Sequence, residues 1–424
     1  MKNNHNLKLY AALLVMGICP AIWTTFRTFL LGQLPGEYAY SIAGQLSWVG
    51  LFYEVVSEAI VLSMFFFMGK KRGGELADRV KSALVIAMGL FAIVSAVVSV
   101  FARPLLAAMA TAPELIADSV TYIRLESIAY IFSVALDVAV VAIVTTGSSK
   151  AVYAMTAARL VMNVICDTML VSPLGFSLNL GVNGIAISNI ICSFLLACLA
   201  LVVLARRGCN AFRARLEFSW LAGLARVGGI SGAESLVRNA AYMLMISRMV
   251  NMVGEQGTYW VANNFIWGWL LLPVLSLGEL IKKETAENAE AARSGAGWYF
   301  KVTGIICAVW ILLIPLYKPF MKYILGFGEV DKLFGLVMVL LGFYVLFAFQ
   351  NVFDAIFYGR GKTEYMLAES LITNIVYYGA CFVLYLTGVF VPTLTGIALM
   401  FGIGNAFDAA VSAGAYAIFR RRER

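Results

Sequence analysis

The sequence predicts an all-α integral membrane protein, with twelve transmembrane helices in two pseudo-symmetric six-helix bundles. Three observations carry that expectation. Hydrophobic residues make up 61% of the 424 positions and charged ones only 13%, about half the charge of an ordinary soluble domain. The apolar residues gather in runs of roughly 20, the length that crosses a hydrocarbon core as helix. They show no period-2 alternation of the kind that marks barrel strands. Finally, the chain repeats itself. Thr146-Gly147-Ser148-Ser149-Lys150-Ala151-Val152-Tyr153 returns as Tyr358-Gly359-Arg360-Gly361-Lys362-Thr363-Glu364-Tyr365, and at the same offset Gly184-Ile185-Ala186 falls on Gly396-Ile397-Ala398. At a slightly larger offset Tyr40, Ala43 and Trp48 fall on Tyr259, Ala262 and Trp267.

Taken in order, the spans are expected near 9–31, 45–68, 82–102, 119–146, 151–172, 183–205, 221–252, 258–281, 298–317, 333–358, 363–388 and 394–419. The polar, basic stretch from Arg206 to Phe218 divides them into lobes 1–210 and 211–424. A second soluble piece, Lys282 to Gly297, reads as a short cytoplasmic helix, matching the basic segment Gly69 to Lys81 of the first half.

Charge gives the orientation. Basic residues concentrate in the N-terminus, alternate loops and the C-terminus, including Lys70, Lys71, Arg72, Arg206, Arg207, Arg213, Arg215 and the tail from Arg420 to Arg424. The opposite loops carry only Arg103, Lys318, Lys322 and Lys332. By the positive-inside rule both termini are cytoplasmic, in the inner (plasma) membrane. The net charge of +8 reflects this bias and attraction to anionic lipid; with no basic domain outside the membrane, nucleic acid is not an expected partner. The first apolar span is too long for a cleavable signal peptide. Six of the seven cysteines fall in spans and Cys209 in a cytoplasmic loop, and His5 is the single histidine, so no disulfide framework, metal site or cofactor is expected. No zinc-protease, Ser/Lys or paired-aspartate protease signature suggests an enzyme.

Duplicated sets of apolar spans are the mark of secondary transporters. Here the residues also resemble a known family, the multidrug and toxic compound extrusion (MATE) transporters. Leu31-Gly32-Gln33-Leu34 followed by Glu37 is similar to the family's first loop. Gly359-Arg360-Gly361-Lys362-Thr363 resembles its turn between the fourth and fifth spans of each half. Asn163-Val164-Ile165-Cys166-Asp167 and Gly181-Val182-Asn183-Gly184-Ile185-Ala186 resemble its fifth and sixth spans. The resemblance implies two six-helix lobes around a central cavity that opens alternately to each side. It also implies export of organic compounds in exchange for protons or sodium ions. Membrane lipid and a small-molecule organic substrate are the expected partners, and a monomer is the expected state. Two departures mark a divergent member. The family's first-span aspartate falls here at Arg27, and the acidic residue of its seventh span falls nearer Asn239 than Glu234.

Ionisable residues in the bilayer core cost about 2.5–3.5 kcal/mol on insertion scales and call for a reason. Arg159, Asn163 and Asp167 stand at i, i+4 and i+8, one face of the fifth span. Glu54 and Glu58 share a face of the second, and the fourth adds Asp137. These residues are expected to converge on Arg27 in the first lobe, where a guanidinium would keep Asp167 ionised and leave switching to Glu54 or Glu58. The alternative is that Arg27 snorkels to the outer interface.

In the second lobe Glu234, Arg238 and Tyr242 share a face of the seventh span. Glu234 and Arg238 either neutralise each other, or Arg238 faces the cavity and meets an anionic or zwitterionic substrate. Glu279, Asp354, Glu369 and Asp408 are the remaining carboxylates that could titrate. Trp48 and Trp267, at equivalent positions, are candidate cavity walls for flat organic cations. Gly228, Gly229, Gly232, Gly402 and Gly404 mark close helix packing or a hinge. Two other functions stay open: a flippase or exporter of an anionic, lipid-linked substrate, and a non-transporting membrane scaffold or sensor.

Overall fold

The computed structural model describes residues 6–34, 38–62, 64, 68, 73–146, 149–287 and 296–422. Glu37, Lys70 to Arg72, Gly147, Ser148 and residues 288–295, half of the expected Lys282–Gly297 cytoplasmic helix, lie outside them. Helix is the only regular structure among the described residues.

The first half contributes α1 (Leu7–Gly32), α2 (Ala39–Ser57), α3 (Gly73–Ala108), α4 (Pro113–Thr145), α5 (Ser149–Leu170) and α6 (Val182–Arg206). The second contributes α7 (Leu221–Tyr242), α8 (Arg248–Met252), α9 (Gln256–Phe265), α10 (Leu272–Glu287), α11 (Ala296–Leu312), α12 (Ile314–Pro319), α13 (Val330–Gly359), α14 (Thr363–Ile372), α15 (Gly379–Leu386) and α16 (Leu394–Arg422). Over the described residues, each of the twelve expected spans coincides with one helix or with an interrupted run of helices. Seven of the described helices are long and apolar enough to cross a membrane, or up to nine spans if the pairs α9–α10, bent by 51°, and α11–α12, bent by 61°, each count as one. The chain is a multi-pass membrane protein.

The interruptions are turns of π-helix: Glu58–Leu62, Met243–Ser247, Ile266–Leu270, Phe320–Ile324 and Thr373–Tyr378. Each extra residue shifts the i→i+5 carbonyls out of the regular ladder, a local irregularity common at functional positions.

The compact units differ from the two sequence halves. One unit is Gln33–Met243; the other joins Met1–Gly32 to Leu244–Arg424. The first helix of each half has therefore changed places, and the packing shows why. In the discontinuous unit, Trp269 Nε1 donates to Thr25 Oγ1 at 2.8 Å and Tyr10 Oη donates to Pro273 O at 3.1 Å. Leu9, Tyr10 and Leu13 close over a core of Leu277, Leu280, Ile281, Tyr299, Val352 and Phe357. In the continuous unit, α7 lies on α2 and its π turn, where a Cβ on Gly232 would sit 3.0 Å from Ala59 Cβ. That contact and the approach of Gly402 to the Phe343 ring favour packing over a hinge.

The repeated motifs are structural anchors. Ile185 and Ala186, and their counterparts Ile397 and Ala398, are all buried near helix starts. In the turn after α13, Gly361 holds φ +65°, a left-handed conformation that side chains disfavour. A Cβ on the preceding Gly359 would run into Thr285 Oγ1 and lie 2.5 Å from the Lys282 carbonyl oxygen.

Candidate functional site

Within the continuous unit, the seventh-span arginine meets the second-span acids. Arg238 Nη2 donates to Glu58 Oε1 at 2.8 Å and to Glu54 Oε1 at 3.2 Å, so one guanidinium nitrogen bridges two carboxylates. Glu54 and Glu58 can share that nitrogen because they stand one helical turn apart, and Glu58 opens the π turn. Beside them Asn239 Nδ2 donates to Ser235 Oγ at 3.3 Å and to the Leu51 carbonyl at 3.4 Å, tying α7 to α2. The bridge is not sealed: side-chain exposure is 41% for Arg238, 43% for Glu54 and 29% for Glu58. Glu54 and Glu58, the acids expected to switch, are thus both bonded to Arg238. Arg238 is held by acids of another helix, while the Glu234 side chain lies outside the described residues.

Asn163 and Asp167 are both buried on α5, and Asn163 Nδ2 donates to the Arg159 carbonyl at 2.8 Å, which keeps the expected face intact. Asp137 on α4 feels the Arg159 charge. Arg27 is buried, 9% exposed, with its guanidinium 4.6 Å from the Trp23 ring centroid. It belongs to the discontinuous unit, whereas Asn163 and Asp167 belong to the continuous one. Glu279 is exposed and paired with Lys282 at 2.7 Å, a solvated surface pair. Asp354 accepts from Ser412 Oγ at 2.9 Å.

The aromatic pair is not symmetric. Trp48 is 1% exposed, its Nε1 donating to Gln45 Oε1 at 2.8 Å inside the core, so it cannot form a cavity wall. Trp267, 44% exposed on a π turn, stands edge-on to Tyr344 and leans on Phe347. Tyr242 is half-buried at the end of α7.

One acid was missed. Glu126 is buried on α4 and accepts from Asn189 Nδ2 at 2.7 Å. The stacked Tyr53 and Tyr130 rings lie 3.9 Å apart, with both Glu126 and Glu54 acting on Tyr130. Its signal was in plain view: an acid within an apolar span, one turn before a tyrosine.

No family model and no curated protein matches the chain by sequence. Solved structures match it end to end. An inward-facing structure of a multidrug resistance MATE family transporter of the MOP superfamily superposes with TM-score 0.75 at 18% identity, covering 100% of this chain and 96% of that one. An outward-facing structure carrying the same description gives TM-score 0.67 at 18% identity over 99% and 96%. A mutant of the Vibrio cholerae MATE transporter VcmN gives 0.69 at 17% identity over 98% and 97%. The chain has the fold of the MATE family of multidrug transporters.

Proposed function

We propose that the protein is a secondary active exporter of organic cations, driven by an ion gradient through alternating access in the inner membrane, with both termini cytoplasmic. The observation that carries this reading is the end-to-end match to transporter structures described as inward-facing and outward-facing. A fold seen in two such states supplies the bistable element that coupling requires, because an ion drives export only if it binds one state better than the other.

The Arg238 bridge supports the cation over the anion as cargo. Two carboxylates face one guanidinium there, and all three side chains keep some exposure. An incoming cation could take over one carboxylate, whereas a phosphate would have to displace both from Arg238. The flippase reading is therefore the weaker one.

The test is efflux of ethidium from proteoliposomes under imposed proton or sodium gradients. Gradient-driven efflux that falls at least tenfold in Glu58→Gln is expected. Absence of any driven flux in the wild type would leave the fold without a transport role and favour a scaffold.

A further inference from the structure

Between α6 and α7, residues 207–220 form a strap that carries no helix yet is tied down within the continuous unit. Lys81 Nζ donates to the Ala214 carbonyl at 2.8 Å. The Arg215 N–H donates to Asp78 Oδ1 at 2.6 Å, and the Glu217 N–H donates to Ser82 Oγ at 2.7 Å. Cys209, Ala211 and Trp220 are buried, and Trp220 Nε1 donates to the Glu217 carbonyl at 2.8 Å.

Those anchors also set the depth of the strap. Asp78, Lys81 and Ser82 end the polar first turns of α3. Residues 82–102 then run uncharged for 21 positions, about 32 Å of helix against a hydrocarbon core of about 30 Å. The other end agrees, because Arg206 closes α6 after an uncharged run over 182–205. Residues 206–218 therefore lie where hydrocarbon gives way to lipid headgroups, on the side expected to be cytoplasmic.

At that level the strap exposes large apolar side chains. Phe212 is 69% exposed, Leu216 51% and Phe218 46%. A single such residue would need no explanation, but three within seven positions do. They interleave with the exposed Arg213 and Arg215, and the strap begins at the equally exposed Arg206 and Arg207. The nearby acids are engaged by the protein itself. Asp78 takes the Arg215 N–H, while Glu217 accepts from Ser219 Oγ at 2.6 Å and meets Arg79 Nε at 3.9 Å. Among the described residues no carboxylate pairs with Arg206, Arg207, Arg213 or Arg215. Aromatic and aliphatic side chains interleaved with cations suit the boundary between acyl chains and headgroups. A guanidinium there can grip a phosphate through two parallel N–H bonds. An acidic soluble protein would satisfy the arginines, but it would have to displace headgroups to reach side chains at this depth.

We propose that the strap is an anchor for anionic phospholipid. Phe212, Leu216 and Phe218 enter the boundary between acyl chains and headgroups, and Arg213 and Arg215 bind lipid phosphates of the same leaflet. The anchor does not depend on the exporter reading, since it concerns what the continuous unit binds at the membrane surface.

Photo-crosslinking of the full-length protein in nanodiscs tests the anchor, with p-benzoylphenylalanine in place of Phe212 or Phe218 and mass spectrometry to read the lipid adducts. In discs that mix phosphatidylcholine with phosphatidylglycerol, both positions should form adducts enriched in phosphatidylglycerol over its share of the bilayer. Arg213→Gln combined with Arg215→Gln should cut those adducts at least about fivefold, the loss expected for even one cation at an anionic surface. The same probe in place of Ile165, exposed on the apolar α5, should form adducts in every disc and variant, which also shows that the arginine variant is folded. Ile165 adducts without any at Phe212 or Phe218 would overturn the proposal. So would adducts that follow bulk lipid composition and ignore the arginine variant. Irradiation in intact cells that joins the strap to a soluble protein in place of lipid would overturn it in favour of a protein partner.

Discussion

Replacing Arg238 by Gln tests whether the arginine bridge holds α7 to α2. At an effective dielectric near 20, the bare attraction is about 6 kcal/mol at the 2.8 Å of the Glu58 pair and about 5 kcal/mol at the 3.2 Å of the Glu54 pair. Most of that is screened, because Arg238 is 41% exposed, Glu54 43% and Glu58 29%. What remains is about 1–2 kcal/mol for Glu58, the shorter and less exposed contact, and about half as much for Glu54. Single substitutions cannot isolate these values, since removing one partner also leaves the other without its pair. Two double-mutant cycles can, one pairing Arg238→Gln with Glu58→Gln and the other with Glu54→Gln. Unfolding titrated with SDS and followed by tryptophan fluorescence gives the four stabilities of each cycle. The reasoning predicts coupling in both cycles, with the Glu58 value the larger. Coupling in both within about 0.3–0.5 kcal/mol of zero, the scatter of independent sites, would show that the bridge contributes nothing to docking and would refute the argument.

Further outcomes follow from other parts of the molecule. Trp48→Ala should destabilise by about 3–5 kcal/mol, since it empties a core position, whereas Trp267→Ala should stay within about 1 kcal/mol; chemical denaturation of both variants checks the contrast. Gly359→Ala should cost about 1–3 kcal/mol through overpacking against Thr285 and Lys282, and a melting temperature equal to wild type would contradict it. Burial pushes the Cys209 thiol up from its ordinary range. Its share of stability is thus present below the unfolded thiol's pKa and is lost as pH rises through the folded one. Maleimide labelling of Cys209 should accordingly be slow in the native protein at neutral pH and fast after denaturation. Arg27→Asp should bring proton or sodium binding to the first helix, as measured by ion uptake in proteoliposomes; no change in binding would mean the burial of Arg27 is purely structural.

The spans were legible because a membrane leaves helix length and apolarity little freedom, and over the described residues every expected span coincides with helix. The exchange of first helices was not legible. Sequence repeats report ancestry, and α1 carries the same apolar signal whichever unit receives it; only contacts such as Trp269 with Thr25 decide. The π turns were equally hidden, because one extra residue per turn does not disturb an apolar run. Of the candidate site, the acids were readable as individual costs but not as partners. Glu54, Glu58 and Arg238 are far apart in sequence yet bonded, while Arg159, Asn163 and Asp167 sat together because one helix face dictates it. Trp48 and Trp267 show the limit of the repeat, since equivalent positions differ between core and surface.

The exchange of first helices also has a consequence for biogenesis. The continuous unit, Gln33–Met243, is complete in one uninterrupted stretch, whereas Met1–Gly32 must wait for Leu244–Arg424 before its own unit exists. During synthesis, α1 therefore enters the bilayer first and stays without its final neighbours while more than half of the chain is still to be made. Buried Arg27 makes that wait costly, because a charged side chain on an apolar helix must stay in the bilayer until the rest of its unit is made. The last-made helices are then the ones that lock the first in place, so truncation near the C-terminus should release α1 as well.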